Sequence, residues 1–169
     1  MQQSEYKQAL KDLKQSLKID ASDALALEVR GNIYYILNQY DMALNDFNQL
    51  LEIEPNSIIT LEIRGKIYSM LDEFNNALRD FNKLLEIKPN NTNALIARGA
   101  VYLNLCQYDD ALKDLNNLLK IKQTDTMAQH LRGHVYLMLG QYDNALYDLD
   151  ESLSLGMDPS NIFILKEKD

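Results

Sequence analysis

Apolar positions along this chain fall at helical spacings, in two alternating stripes. Leu27, Gly31 and Tyr34 stand at i, i+4 and i+7, one arc of a helix of 3.6 residues per turn. Tyr40, Ala43, Leu44, Phe47 and Leu51 form the second stripe. Asn38 lies between the two and tolerates the left-handed conformation that closes a helix. Asp72 and Gly140 stand at matching places; Cys106 takes that place once and suits it less well. The second stripe stops near Ile53, and Pro55 cannot continue a helix. Alternation of β-branched residues is absent, so the pattern predicts pairs of short helices and no strands.

The pair of stripes is itself repeated. Arg-Gly occurs at Arg30-Gly31, Arg64-Gly65, Arg98-Gly99 and Arg132-Gly133, every 34 residues. A tyrosine follows each glycine by three residues, at Tyr34, Tyr68, Tyr102 and Tyr136. Another aromatic follows at Tyr40, Phe74, Tyr108 and Tyr142, then Ala-Leu at Ala43, Ala77, Ala111 and Ala145. Tyr6, Ala9-Leu10 and Asp12 carry the second half of the unit once more at the start. Pro55, Pro89 and Pro159 all lie between units, and no Gly/Ser linker interrupts the series. A hairpin cannot bury its apolar faces alone; stacking on neighbours buries them. The repeated glycines and alanines are small because helix axes approach closely there.

The period, the glycine and tyrosine of the first helix, the alanine and Phe/Leu of the second, and the closing proline resemble the tetratricopeptide repeat family. The resemblance implies an all-α fold, a right-handed solenoid of antiparallel helical hairpins with a concave groove. The chain departs from the family where an aromatic residue is usual, with Leu27, Leu61, Leu95 and Gln129. It also carries Leu50, Leu84, Leu118 and Ser152 at a second small position, and Gln123 in place of one proline. Residues 1–169 then form one array. Residues 1–23 are the second helix of a partial repeat, followed by repeats at 24–57, 58–91, 92–125 and 126–161. The last repeat has a two-residue insertion, and 162–169 begin a further helix. Neither end carries a polar cap, which suits a segment of a longer solenoid.

Aspartates recur in the second helices at Asp12, Asp46, Asp80, Asp114 and Asp148. Pairing each with the next unit's cation, from Asp12–Arg30 to Asp148–Lys168, leaves none over, and that forward register is the expected one.

By family resemblance the groove is lined by first-helix residues turned away from the glycine–tyrosine face. Helical angle selects Leu25, Glu28, Asn32, Tyr35 and Ile36 in the first complete unit, and Ile59, Glu62, Lys66, Ser69 and Met70 in the second. The third gives Asn93, Ile96, Ala100, Leu103 and Asn104; the fourth gives Met127, His130, His134, Leu137 and Met138. The N-terminal half reads as polar and the C-terminal half as apolar, and methionine suits a surface accepting varied apolar side chains. The expected partner is a protein or peptide with apolar anchor residues, and the equal alternative is that the next helix of a longer chain covers this surface. Some family members clamp the C-terminal carboxylate of heat-shock chaperones. Here Glu28 stands where a lysine is needed, and Ile59, Ile63, Asn93 and Ala97 supply none of the other groups, so chaperone tails do not fit.

Composition changes this picture little. Of 169 residues 46% are hydrophobic and 25% charged, ordinary for a folded chain. A formal charge of −8 opposes a phosphate backbone, so nucleic acid is not an expected partner. No apolar run approaches the ~20 residues needed to cross a bilayer, and no signal peptide opens the chain. A cytoplasmic setting without membrane attachment is expected. One cysteine allows neither an internal disulfide nor a multi-cysteine zinc site.

Candidate chemistry is sparse. His130 and His134 lie four apart on one helix face and could chelate a transition metal, but no third ligand accompanies them. The glycines sit inside helices rather than in a phosphate loop, and Cys106 has no nucleophile signature. No metal, cofactor or catalytic residue is expected, and the segment reads as a non-enzymatic interaction scaffold. The alternatives are a regulatory or targeting segment of a larger enzyme, and a solenoid that self-associates end to end.

Overall fold

The computed structural model describes residues 2–156 of the chain. The described residues form nine α-helices and no strand: α1 (Gln2–Ile19), α2 (Ala24–Ile36), α3 (Tyr40–Ile53), α4 (Ile58–Met70), α5 (Phe74–Ile87), α6 (Thr92–Asn104), α7 (Tyr108–Ile121), α8 (Thr126–Met138) and α9 (Tyr142–Ser154). Pro159 and Lys168, and with them the further helix expected over 162–169, lie outside the described residues.

The ends of the first helices have local causes. Asp23, Asn91 and Asp125 accept the backbone N–H of Ala26, Ala94 and Ala128 at 3.1, 3.0 and 3.0 Å, capping α2, α6 and α8. At the other end of the first helices, Asn38, Asp72, Cys106 and Gly140 take positive φ values of 56°, 59°, 58° and 69°. The residue after each donates back to the repeated tyrosine's carbonyl, as in Gln39 N to Tyr34 O at 2.8 Å and Gln107 N to Tyr102 O at 2.8 Å. That 6→1 bond closes the helix and turns the chain in one step.

The chain divides into two compact units, residues 1–67 and 68–169. In the first, α2 packs against α1 and α3. Tyr34, Ala43, Phe47 and Ile67 form its core, flanked by Leu10, Tyr35, Tyr40, Leu44 and Ile63. In the second, α5 packs on α6, α6 on α7, α7 on α8 and α8 on α9, and α6 also touches α8. Leu84, Leu95, Leu115, Leu118, Leu131 and Val135 are all buried there. Both units are built as stacked hairpins, an all-α solenoid architecture.

The repeat glycines mark the tight crossings inside hairpins. A Cβ on Gly31 would stand 2.7 Å from Phe47 Cε1. On Gly133 it would stand 2.8 Å from Leu149 Cγ and 3.3 Å from the Ala145 carbonyl oxygen. No real side chain tolerates such approaches without displacement, so glycine is fixed by the second helix it meets.

The charged ladder differs from the forward register. Arg30, Arg98 and Arg132 each grip the aspartate sixteen residues later, in the same hairpin: Asp46, Asp114 and Asp148. Asp12 accepts from Gln8 instead of Arg30. Asp148, expected opposite Lys168, is held by Arg132. The planar fork of arginine reaches both carboxylate oxygens across one hairpin, and this geometry decides the pairing. Backward contacts also form: Nη1 of Arg64, Arg98 and Arg132 donates to Asn48, Asn82 and Asn116.

Candidate functional site

In the first unit, the expected binding residues sit on α2 and α4. Glu28, Asn32 and Tyr35 are half-buried along α2. Tyr35 leans on the core cluster, with its ring centroid 6.3 Å from that of Tyr40 at a tilt of 41°. Packing thus fixes a ring that keeps one exposed side. The Asn32 Oδ1 is shut off from solvent with no hydrogen-bond donor opposite it. Such a group costs free energy unless something supplies a donor. On α4, Lys66 Nζ donates to Glu62 Oε1 at 2.6 Å, a pair one turn apart. Leu25, Ile36 and Ile59 are exposed beside these polar residues. The expected polar character of this half is therefore incomplete.

In the second unit, the expected residues separate into three groups. Met70 is 46% exposed and Met138 is 62% exposed; Leu137 is exposed as well. Ile96, Met127 and His134 are half-buried. Leu103 and His130 are closed off, at 8% and 6%. The first helices α6 and α8 touch each other as well as their second helices, so part of the face expected to be free is taken up by packing. Ala100, chosen by the same angle, is buried too.

The two histidines touch each other. His130 Nε2 and His134 Nε2 are 2.9 Å apart, a hydrogen bond in which one ring donates. Burial lowers the pKa of both below the usual histidine value, and the charge of His134 lowers that of His130 further. The neutral pair is the favoured form. Among the described residues, no cluster of three or more metal-binding side chains forms around them or elsewhere. His130 Nδ1 and the neighbouring Gln129 Oε1 are buried without hydrogen-bond partners.

Sequence reasoning did not pick out Asn48, Asn82 and Asn116 as partners of the arginines. The signal was present, since these asparagines also recur every 34 residues. Cys106 is exposed at its turn, and Tyr147 is exposed on α9.

Sequence profiles of the tetratricopeptide repeat match residues 24–57 and 71–135. No curated protein sequence is recognisably similar to the chain. Among solved structures, a crystal structure of MamA shares 20% identity at a TM-score of 0.85, covering 90% of each chain. The crystal structure of YrrB, described as a TPR protein with an unusual peptide-binding site, shares 23% identity at a TM-score of 0.84. That likeness covers 93% of this chain and 81% of YrrB. A tetratricopeptide repeat protein from Parabacteroides merdae shares 25% identity at a TM-score of 0.77, over 95% of this chain and 63% of that one.

Proposed function

The chain belongs to the tetratricopeptide repeat family, and from that premise we propose that it is a protein-interaction scaffold whose first helices bind a peptide or helix. One observation carries the reading. Three of the first helices, α2, α4 and α8, keep apolar side chains in solvent that their own packing does not use, such as Ile36 and Ile59 in the first unit and Met70 and Met138 in the second. Long apolar side chains held in water by rigid helices gain free energy only when a partner covers them. YrrB, similar in fold, is described as having a peptide-binding site. Glu28, Asn32, Tyr35, Glu62 and Lys66 supply polar complementarity in the first unit. Ile96 on α6, and Met127 and His134 on α8, supply further half-buried contacts in the second. Leu103 and His130 support the surface from beneath. No catalytic group or cofactor takes part in this reading. Among the described residues no helix is long and apolar enough to cross a membrane.

Co-precipitation with wild type beside a Tyr35→Glu/Met70→Glu/Met138→Glu variant tests the proposal. Partners lost only from the variant support it; partners retained equally by both refute it.

A second reading, self-association through α9, also has an observation behind it. Leu119 of α7 is 9% exposed, whereas Leu153, its counterpart on α9, is 48% exposed. Tyr142 and Leu146 are likewise exposed where Tyr108 and Leu112 are half-buried. Light scattering over a concentration series, with Leu146→Glu as control, separates the readings. A mass that rises with concentration and falls back in the variant favours self-association.

A further inference from the structure

The arginine ladder has one irregular rung. Nη1 of Arg64, Arg98 and Arg132 donates to Asn48, Asn82 and Asn116 at 2.7, 2.6 and 2.7 Å. The same register places Lys14 opposite Arg30. A lysine carries no acceptor. Arg30 spends Nε and Nη2 on Asp46 at 2.8 and 2.6 Å, and its Nη1 finds no acceptor among the described residues. A conserved contact of the other repeats is here replaced by two cations.

These cations face a cleft. Lys14, Leu17 and Lys18 of α1, Ala21, Arg30 of α2 and Gln49 of α3 line a space of about 300 Å³. The two acids of the adjoining loop, Asp20 and Asp23, are not among its lining residues. Asp20 accepts the backbone N–H and hydroxyl of Ser22 at 2.9 and 2.7 Å. Asp23 caps α2 and accepts from Ser16. Asp46 offsets one of the three positive charges, so the lining side chains keep a positive balance within a chain of net charge −8.

We propose that this cleft binds a phosphate group, as inorganic phosphate or as a small phosphate monoester. Arg30 Nη1 supplies a fixed, directional donor held in place by Asp46. Lys14 and Lys18 supply mobile point charges, and the Gln49 amide a neutral donor. Leu17 and Ala21 form an apolar wall against which the carbon portion of a monoester lies. None of the residues assigned to partner binding takes part, so the two proposals stand or fall separately.

The test is a nuclear magnetic resonance titration with inorganic phosphate, against sodium chloride at matched ionic strength. Wild type is compared with Lys14→Asn, which installs the residue the other three repeats use. That variant removes a cation and gives Arg30 Nη1 its missing acceptor, so its thermal midpoint is expected to hold or rise. Saturable shifts around Lys14, Lys18, Arg30 and Gln49 are expected with phosphate and not with chloride. Affinity falls about tenfold or more in the variant. A parallel titration with glycerol phosphate identifies the source: tighter binding than inorganic phosphate marks a monoester, equal or weaker binding marks the free ion. No saturation, an equal response to chloride, or an unchanged response in Lys14→Asn means an adventitious ion only and overturns the proposal.

Discussion

Arg132 donates Nε and Nη2 to the two carboxylate oxygens of Asp148 at 2.7 Å each, and Asp148 is only 1% exposed. The pair joins the first and second helices of one hairpin. Arg98–Asp114 repeats it one 34-residue period earlier, and Arg30–Asp46 repeats it two periods before that. Removing one member strands a partly buried charge. Asp148→Ala is therefore expected to cost about 3 kcal/mol in urea unfolding. In double-mutant cycles, Arg98 and Asp114 should couple by more than about 1 kcal/mol, and Asp114 and Arg132 by less than about 0.5 kcal/mol. Equal coupling in both cycles would reinstate a forward register.

Gln129 occupies the position held by Leu27, Leu61 and Leu95 in the other repeats. It is buried, and its Oε1 has no hydrogen-bond partner. Gln129→Leu removes that stranded acceptor and adds apolar contact at similar volume. A gain of about 1–2 kcal/mol is expected, read as a higher thermal midpoint. A lower midpoint would show that the amide is satisfied in solution.

Cys106 holds φ at 58° where Gly140 closes the equivalent helix. A side chain at such a φ costs about 1–2 kcal/mol, part of which glycine returns as extra freedom of the unfolded chain. Cys106→Gly is expected to stabilise by about 0.5–1 kcal/mol. Gly140→Cys, the reverse exchange, should destabilise by a similar amount. Equal stabilities for all three proteins would show that the turn carries no strain.

Burial lowers the pKa of His130 and His134 in the folded chain, while unfolded histidines titrate near about 6.5. Below that pH the unfolded chain takes up protons that the folded pair resists. Stability is thus fully present above about pH 6.5 and is lost as pH falls toward the lower folded values. Thermal midpoints of wild type should fall more steeply between pH 7 and pH 5 than those of a His130→Leu/His134→Leu variant. Parallel curves would show that the pair does not titrate differently on folding.

Much of the fold was legible because packing repeats. Gly31 and Gly133 are forced by Phe47 and Leu149, and both the glycine and its obstacle recur at the same offset. The helix-closing places of Asn38, Asp72 and Gly140 follow from side-chain chemistry alone. Other features depend on distance in space. The forward ion pairs matched every charge on paper, yet a guanidinium reaches the aspartate across its own hairpin. Helical angle placed Leu103 and His130 on an open face, because angle describes one helix and omits the neighbour that closes it. The first unit read as polar, although Leu25, Ile36 and Ile59 stay in solvent beside Glu28 and Lys66. Which of these side chains meets a partner depends on a second molecule, which one sequence does not contain.

Binding of a peptide or helix by exposed first-helix residues can be measured on the isolated protein. Its most direct measurement is the affinity of a peptide selected from a random display library, determined by fluorescence anisotropy on single variants. Met70→Glu and Met138→Glu carry the test; Met42→Glu, exposed on the second helix α3, is the control. Met70→Glu or Met138→Glu is expected to weaken binding about tenfold or more, while Met42→Glu leaves it unchanged. Loss confined to Met42→Glu, or equal affinity in all three variants, would contradict first-helix binding.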